Sequence, residues 1–324
     1  MAAPLKILVA SDIHFAGPQE RQRTGYESAV IKNWLIKTAA RLQRRFIWLS
    51  NPLLHHGMLQ RLVDAAGQPD FAIVNGDYSC DSAFIGVADD AVRESTRMCL
   101  DTLRARFAPN FAATIGDHEL GKFSLFGGCG GLRLESYRRA VTELGLQPFW
   151  RVERGRFVLL GVTSTLVGLP VLESEALASE RAEWWRLRKE HLAEIVAAFA
   201  ALKPEQRVLL FCHDPSALPF LMELDAVRTK MSRVAHTLIG HLHTNQVLKL
   251  SRLLGGMPPI RFLGNTARRM STALAEARKW KPFNVVLCPS LTGIELLKDG
   301  GFLTLEFSPD NADPVAIKFH PLPW

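Results

Sequence analysis

Short hydrophobic runs of strand length, separated by polar or glycine-containing turns, recur along the whole chain. They predict β-strands at residues 6–10, 71–75, 111–115, 157–162, 208–212, 237–239, 261–263, 285–288, 302–307 and 315–319. Between several of them the hydrophobic positions take a helical period, most clearly at 91–107 and 180–201. This alternation is typical of a layered α/β or α+β fold around a buried sheet. Without repeats or linkers, one domain over residues 1–324 is the simplest organisation.

One segment departs from that alternation. Hydrophobic residues in 31–49 keep helical spacing, the opposite face is basic, and Trp34 and Trp48 lie near the two ends. The basic residues are Lys32, Lys37, Arg41, Arg44 and Arg45. Proline and glycine interrupt the helical pattern soon afterwards, so we predict a helical insertion at about 31–64. Its basic amphipathic helix either lies on an anionic membrane, through Lys37, Arg41, Arg44 and Arg45, or packs on the core.

Composition narrows the class of protein. The chain has 324 residues, 48% of them hydrophobic, which is enough for a substantial core, and its net charge of +7 favours partners that carry phosphate or an anionic surface. The five cysteines are scattered, which argues against a disulfide framework and a structural zinc site. No hydrophobic run approaches the roughly 20 residues that span a bilayer. We therefore expect a cytoplasmic protein that can lie peripherally at the inner face of the membrane.

Polar residues follow five of the predicted strands. They are Asp12 and His14, then Asp77, then Asp117-His118-Glu119, then His213-Asp214, and finally His241 and His243. Loops at the carboxyl ends of strands in open α/β sheets converge on one crevice, so we expect these side chains to meet. In an extended turn the two members of an Asp-x-His or His-x-His pair point the same way, because the strand period is two.

These residue types indicate a metal site. Carboxylates and imidazoles without thiolates suit divalent manganese, iron, zinc or cobalt. Seven candidate ligands are too many for one ion. Two ions roughly 3.5–4 Å apart, bridged by one carboxylate, would use all of them and suit phosphoryl transfer.

The ordered motifs Asp12-Ile13-His14, Gly76-Asp77, Gly116-Asp117-His118-Glu119, His213 and Gly240-His241-Leu242-His243 resemble the signature of the calcineurin-like metallophosphoesterases. The resemblance implies a four-layer α/β/β/α sandwich and a dinuclear centre, for which manganese is preferred. It implies that Asp12, His14 and His243 bind one metal, that Asp117, His213 and His241 bind the other, and that Asp77 bridges them. It also implies that a bridging hydroxide attacks phosphorus. The catalytic His118 would not be a ligand, and would either donate a proton to the leaving oxygen or stabilise charge on the phosphoryl group.

Two positions differ from that family's pattern. Asp117 stands where asparagine is usual, so the site should carry an extra negative charge, and Asp117→Asn should retain metal while lowering the pH optimum. The acid that in many relatives orients the catalytic histidine is displaced by one residue to Asp81, so either a bulge brings Asp81 round or another group orients His118. The role of Glu119 stays open, although bracing the turn is the better interpretation. Arg268 and Arg269 are candidates for substrate phosphate.

The substrate admits alternatives. The basic amphipathic helix beside the motifs favours a phosphodiester or diphosphate in a lipid-linked molecule, as in the similar UDP-2,3-diacylglucosamine hydrolases of lipid A synthesis. The positive charge equally allows a nuclease or a cyclic-nucleotide phosphodiesterase. A non-catalytic interaction module is the remote alternative, because every ligand position keeps Asp or His. The sequence leaves the oligomeric state undetermined.

Overall fold

The computed structural model describes residues 4–125, 128–260, 264–310 and 314–323, and the side chains of 264–267 lie outside the description. Two five-stranded mixed sheets form its centre. The strands are β1 (Leu5–Ala10), β2 (Phe71–Val74), β3 (Phe111–Ala113), β4 (Phe149–Arg154), β5 (Phe157–Val162), β6 (Arg207–Cys212), β7 (Val234–Ile239), β8 (Val285–Leu287), β9 (Gly301–Phe307) and β10 (Ala316–Pro321).

The strand order is β10-β9-β1-β2-β3 in one sheet and β4-β5-β6-β7-β8 in the other. Strands β1, β2 and β3 run parallel, as do β5, β6, β7 and β8. In contrast, β9, β10 and β4 join their sheets in antiparallel pairs. All parallel strands therefore present their carboxyl ends to the loops that carry the polar motifs.

The helices of eight or more residues cover the sheets and bear the remaining connections. They are α1 (Trp34–Phe46), α2 (Met58–Ala65), α3 (Asp90–Phe107), α4 (Leu134–Thr142), α5 (Arg181–Ala200), α6 (Asn245–Leu253) and α7 (Gly264–Glu276). Single turns of α-helix occur at Pro18–Arg21, Tyr26–Ala29, Asp117–Leu120, Ser164–Val167, Leu169–Leu172, Leu218–Met222 and Asp225–Arg228. Short 3-10 helices occur at Pro52–Gly57, Gly86–Ala88, Glu173–Glu175, Ala178–Glu180, Pro215–Ala217, Met231–Arg233 and Ala277–Phe283.

Alternation along the central strands explains the four layers. In β1, Ile7 and Val9 belong to the core between the two sheets, with Leu209 and Phe211 of β6. Their neighbours Leu8 and Ala10 point to the outer face of the first sheet and pack in one cluster with residues of α2 and α3. The outer face of the second sheet packs in the same way against α5. The predicted α/β/β/α sandwich is confirmed.

Most predicted elements are present, with shifted ends. The helix predicted in 31–49 is α1, which begins after Asn33, because the Asn33 side chain accepts hydrogen bonds from the backbone N–H groups of Leu35 and Ile36. Strand β4 was missed, because its alternating charged residues face solvent at a sheet edge. The strand predicted at 261–263 lies outside the described residues.

Candidate metal centre

The loops after β1, β2, β3, β6 and β7 meet at one edge of the sandwich. The backbone N–H of Asp12 donates to the Gly76 carbonyl at 3.1 Å, and that of Gly240 donates to the His213 carbonyl at 2.9 Å. The Asn75 side-chain amide donates to the Leu238 carbonyl at 3.1 Å and so ties the end of β2 to the other sheet. Hydrogen bonds therefore join the two sheets directly beneath the polar side chains.

A first group of converging side chains comprises Asp12, His14 and His243, whose ligand-type atoms all lie within 4.8 Å of one another. His14 Nε2 lies 3.3 Å from His243 Nε2, and His243 Nε2 lies 3.4 Å from Asp12 Oδ1. The indole ring of Trp48 lies against His243, with ring centroids 4.9 Å apart. This group offers two imidazole nitrogens and a carboxylate to one point.

A second group comprises Asp77, Asp117, His213 and His241 within the same limit. His213 Nε2 lies 3.2 Å from both Asp77 Oδ2 and Asp117 Oδ1, and His241 Nδ1 lies 3.1 Å from Asp117 Oδ1. Asp77 also groups with His14 and His118, so it stands between the two clusters. The structure therefore brings together all seven predicted ligands and His118.

Backbone carbonyls fix the orientation of three imidazoles. The Ser79 carbonyl accepts from His118 Nδ1 at 3.0 Å and from His14 Nδ1 at 3.2 Å, while the Asn75 carbonyl accepts from His213 Nδ1 at 2.6 Å. Because a carbonyl only accepts, the Nδ1 atom of each ring carries the proton and Nε2 faces the site. Ser79 escaped sequence reasoning because its contribution is a main-chain oxygen, which no residue type reveals.

The Ser79 carbonyl is the group that orients His118 in place of the displaced acid. Asp81 does not orient His118; its Oδ1 accepts the backbone N–H of Gly86 at 2.9 Å. Burial is the main cause that raises the pKa of Asp81 well above its usual value. Because its carboxyl is buried and accepts a backbone N–H of the neighbouring loop, Asp81 is a structural residue.

Glu119 braces the turn. Its carboxylate accepts backbone N–H groups from Gly116 at 2.8 Å, from Asp77 at 3.0 Å and from Tyr78 at 2.8 Å. Burial, followed by the nearby Asp77 charge, raises the pKa of Glu119 to about 8. Glu119 therefore joins the β2 and β3 loops from below.

The backbone of the paired motifs differs from the extended turn that the sequence suggested. Asp12 and His14 have φ of 50° and 49°, and His241 and His243 have φ of 60° and 61°. This left-handed conformation is uncommon for residues other than glycine and is concentrated at functional sites. Two such residues separated by one form a tight turn, and the turn directs both side chains to the site.

Only glycine fits at position 240, because a side chain there would overlap its neighbours. A Cβ at this position would lie 2.0 Å from Ser11 Oγ and 2.4 Å from Asp12 Oδ2. The Asp12 carboxylate in turn accepts the backbone N–H of His241 at 3.1 Å. The glycine before the His-x-His pair thus lets the β7 loop pass directly over Asp12.

A positive charge between the buried oxygen and nitrogen atoms of the second group would stabilise them. Within the described residues, neither Asp77 Oδ2 nor His213 Nε2 has a hydrogen-bonding partner, although both are buried. Because the proton of a neutral His213 sits on Nδ1, its Nε2 lone pair would face two carboxylate oxygens. Burial acts to lower the pKa of His213, but Asp77 and Asp12 outweigh it and raise the pKa well above its usual value. A divalent cation between these donors would satisfy all of them, so the donor set fits a metal.

The two arginines predicted to contact substrate differ in their position relative to the centre. Arg269 lines the cleft over the centre and pairs with Glu175, with Nη1 2.7 Å from Oε1. Arg268 is exposed and donates to Ser174 Oγ at 3.1 Å. Asp214 accepts the backbone N–H of Ser216 at 2.8 Å, and its second oxygen lies 3.8 Å from His241 Nε2.

A cleft of about 570 Å³ opens directly over the two groups. His14, His118, His241 and His243 form part of its lining. Much of the remaining lining is apolar and includes Trp48, Phe123, Val247, Leu250, Met270 and Leu274. The polar centre is therefore set at the base of a largely hydrophobic cavity.

Comparison with known proteins gives one family and several distant structures. The calcineurin-like phosphoesterase family model matches residues 5–245. A dimetal phosphatase from Danio rerio is similar, with 13% identity, 97% of this chain and 95% of that chain covered, and a TM-score of 0.48. A phosphopantetheinyl hydrolase from Mycobacterium tuberculosis has 16% identity, with 75% of this chain and 84% of that chain covered, and a TM-score of 0.36. No curated protein sequence matches the chain.

Proposed function

The chain belongs to the calcineurin-like phosphoesterase family and is therefore a phosphoester hydrolase, and from this premise we propose that it cleaves a phosphodiester or diphosphate bond in an amphiphilic substrate. The substrate would be lipid-linked, of the kind that UDP-2,3-diacylglucosamine represents. The observation that carries this proposal is the hydrophobic cleft that ends at the Asp and His clusters.

Two divalent ions are proposed to occupy the centre, with manganese as the preferred metal. Asp12, His14 and His243 would hold one ion, and Asp117, His213 and His241 would hold the other. Asp77 would contact both, which its membership of two of the three ligand groups supports. The metals would supply Lewis acidity and would activate water at neutral pH.

His118 is proposed as the proton donor to the leaving oxygen. Its Nδ1–H is held by the Ser79 carbonyl, so Nε2 faces the cleft, 3.6 Å from Asp77 Oδ2. Burial is the main cause that lowers the pKa of His118 to about 3. An anionic phosphoester beside the ring favours its charged form, so the pKa rises when substrate binds and Nε2 can carry the transferred proton.

The cleft predicts selectivity for a substrate with an acyl chain. We expect a higher kcat/KM for an acylated phosphodiester than for the same head group without the chain. Leu250 lines the cleft, so Leu250→Glu should reduce that preference by roughly tenfold, as expected from losing the burial of one leucine-sized contact. Steady-state kinetics on the two substrates measure the ratio.

Leu253 supplies the matched control for this experiment. It lies on the same helix α6 and is 80% exposed, and it is not among the described residues that line the cleft. Leu253→Glu should leave the preference unchanged. Equal kcat/KM for both substrates in the unaltered protein would contradict an amphiphilic substrate, and turnover of nucleic acid or cyclic nucleotides instead would favour the alternative phosphodiesterases.

Helix α1 is proposed to attach the protein peripherally to an anionic membrane, at its cytoplasmic face. The helix leaves Trp34, Leu35 and Phe46 exposed, and its residues Gln43 and Arg44 line the cleft, so a docked helix would bring the cleft to the lipid surface. In the described part of the chain, no helix combines the length and hydropathy that crossing a bilayer requires.

Flotation with vesicles tests this attachment. We expect binding to vesicles rich in phosphatidylserine and little binding to phosphatidylcholine vesicles. Arg44 pairs with Glu27, with 20% of its side chain exposed, so the decisive variant replaces Lys37, Arg41 and Arg45 with glutamine and should lose binding. Unchanged flotation would refute the assignment, and salt-dependent DNA binding without flotation would favour a nuclease.

A further inference from the structure

The residue Lys122 stands beside the one ligand position at which this chain departs from the family pattern. Its ammonium Nζ lies 2.8 Å from Asp117 Oδ2, and only 24% of the Lys122 side chain and 9% of the Asp117 side chain are exposed. The two charges of a largely buried pair depend on each other, because removing either partner leaves an uncompensated charge with little solvent around it.

The local backbone conformation brings Lys122 to Asp117. The single helical turn Asp117–Leu120 ends at Gly121, which has φ of 88°. A Cβ at residue 121 would lie 2.5 Å from the Gly131 carbonyl oxygen, so the space also requires glycine. This ending turns the chain back, and Lys122 reaches the side chain five residues earlier.

The segment that bears Lys122 is fixed from the other side as well. The backbone N–H of Phe123 donates to Glu175 Oε2 at 2.8 Å, and Glu175 Oε1 accepts from Arg269 Nη1. Glu175 thereby neutralises Arg269 and anchors the residue next to Lys122. Lys122 is left with Asp117 as the anion at ion-pair distance among the described residues.

The two carboxylate oxygens of Asp117 have separate partners. Oδ1 faces His213 Nε2 at 3.2 Å and His241 Nδ1 at 3.1 Å, while Oδ2 faces the Lys122 ammonium. Asparagine at this position would present one carbonyl oxygen and turn its amide away, with no net charge. A carboxylate whose second oxygen is held by an ammonium presents the same single oxygen and the same net charge.

We propose that Lys122 is a positioning residue that, together with Asp117, replaces the usual asparagine ligand, so that the pair keeps Asp117 monodentate and the site at the charge an asparagine would give. This inference rests on the proposed role of Asp117 as a metal ligand. It revises the expectation from sequence alone, since the extra negative charge of Asp117 is cancelled inside the protein.

The pKa values agree with a charged pair. Burial acts to raise the pKa of Asp117, but Lys122 and His241 outweigh it and hold that pKa well below its usual value. Burial acts to lower the pKa of Lys122, but Asp117 and Asp77 outweigh it and raise that pKa. These directions match the geometry, since the 2.8 Å between Nζ and Oδ2 is the separation of a charged pair.

A double-mutant cycle tests the pair, with manganese titrated calorimetrically into metal-free protein and with the pH profile of hydrolysis as the second measurement. Asp117→Asn leaves Lys122 as an unpaired cation, so we expect about tenfold weaker manganese binding. Its pH optimum should also fall, because added positive charge favours deprotonated groups. Lys122→Met leaves the carboxylate unpaired and should raise the pH optimum.

The double variant Asp117→Asn with Lys122→Met restores the charge of the pair and a carbonyl ligand. We expect its manganese affinity and pH optimum to return close to those of the unaltered protein. Lys122→Arg keeps the charge and should retain both properties, and thermal melts of the metal-free proteins identify any variant that fails to fold.

A double variant that kept the weak manganese binding and the low pH optimum of Asp117→Asn would overturn the inference. A higher KM in Lys122→Met with unchanged manganese affinity would overturn it as well, because Lys122 would then contact substrate. If the unaltered protein bound no manganese, zinc, iron or cobalt, the proposed dinuclear centre would fail first. The failure of the pair is thereby distinguishable from the failure of the function on which it rests.

Discussion

Replacing Asp77 with asparagine is expected to reduce phosphoester hydrolysis by about three orders of magnitude and to lower the metal content of the purified protein. Asp77 stands between the two ligand groups, with Oδ2 3.2 Å from His213 Nε2. Burial and the Asp117 charge act to raise its pKa, but His118 and His213 outweigh them and hold the pKa below its usual value. The substitution removes this fixed anion while keeping the shape of the side chain.

The fold should survive this substitution. Asp77 Oδ1 accepts the backbone N–H of His118 at 3.0 Å, and the asparagine carbonyl can accept the same bond. Metal analysis by mass spectrometry and hydrolysis of an aryl phosphodiester measure the two losses. Asp81→Asn is the matched control, because it makes the same change at a buried carboxyl whose Oδ1 accepts the Gly86 N–H and whose pKa burial raises. Full activity and full metal content in Asp77→Asn would refute the role of Asp77.

The sequence was sufficient to predict that the candidate ligands converge, because their side-chain types and their order after the strands are visible in it. The candidate ligands follow parallel strands, so their convergence could be inferred from the order of motifs and strands. They are Asp12, His14, Asp77, Asp117, His213, His241 and His243. Hydrophobic periodicity anticipated a layered α/β fold and α1, because it reports directly on burial. The four-layer sandwich itself was implied by the family resemblance.

The supporting contacts could not be predicted in that way. The Ser79 and Asn75 carbonyls orient the imidazoles, yet any residue at those positions has a carbonyl. The left-handed turns at Asp12 and His243 lie where loops from separate strands are hydrogen-bonded to each other. Lys122 belongs to no motif, and its position beside Asp117 follows from the chain reversal at Gly121.

The apolar cleft could not be inferred from the sequence either. Its lining combines Trp48 after α1, Phe123 near the centre, Leu250 of α6 and Met270 of α7, which lie far apart in the sequence. The basic amphipathic pattern of α1 suggested lipid but did not indicate that Trp48, just after this helix, contacts His243 of the candidate metal centre. Arg44 shows the limit of the pattern, because its pairing with Glu27 withdraws it from the exposed basic face.

Replacing His118 with asparagine is expected to lower kcat by about a thousandfold while leaving the metal content unchanged, because His118 is proposed to transfer a proton and not to bind metal. The size of the loss should depend on the leaving group. A 4-nitrophenyl oxygen departs without protonation, so its hydrolysis should suffer much less than that of an alkyl phosphodiester, whose leaving alkoxide needs the proton.

Rates for the two substrates, measured with the unaltered protein and with His118→Asn, separate proton donation from charge stabilisation. His320→Asn is a suitable control, since His320 lies in β10 and bonds Thr304 Oγ1 at 2.9 Å, and both rates should stay within about twofold. Equal losses on both substrates would mean that His118 stabilises charge on the phosphoryl group instead. In that case the Ser79 carbonyl would still orient the ring, because its bond to Nδ1 keeps Nε2 toward the cleft in either role.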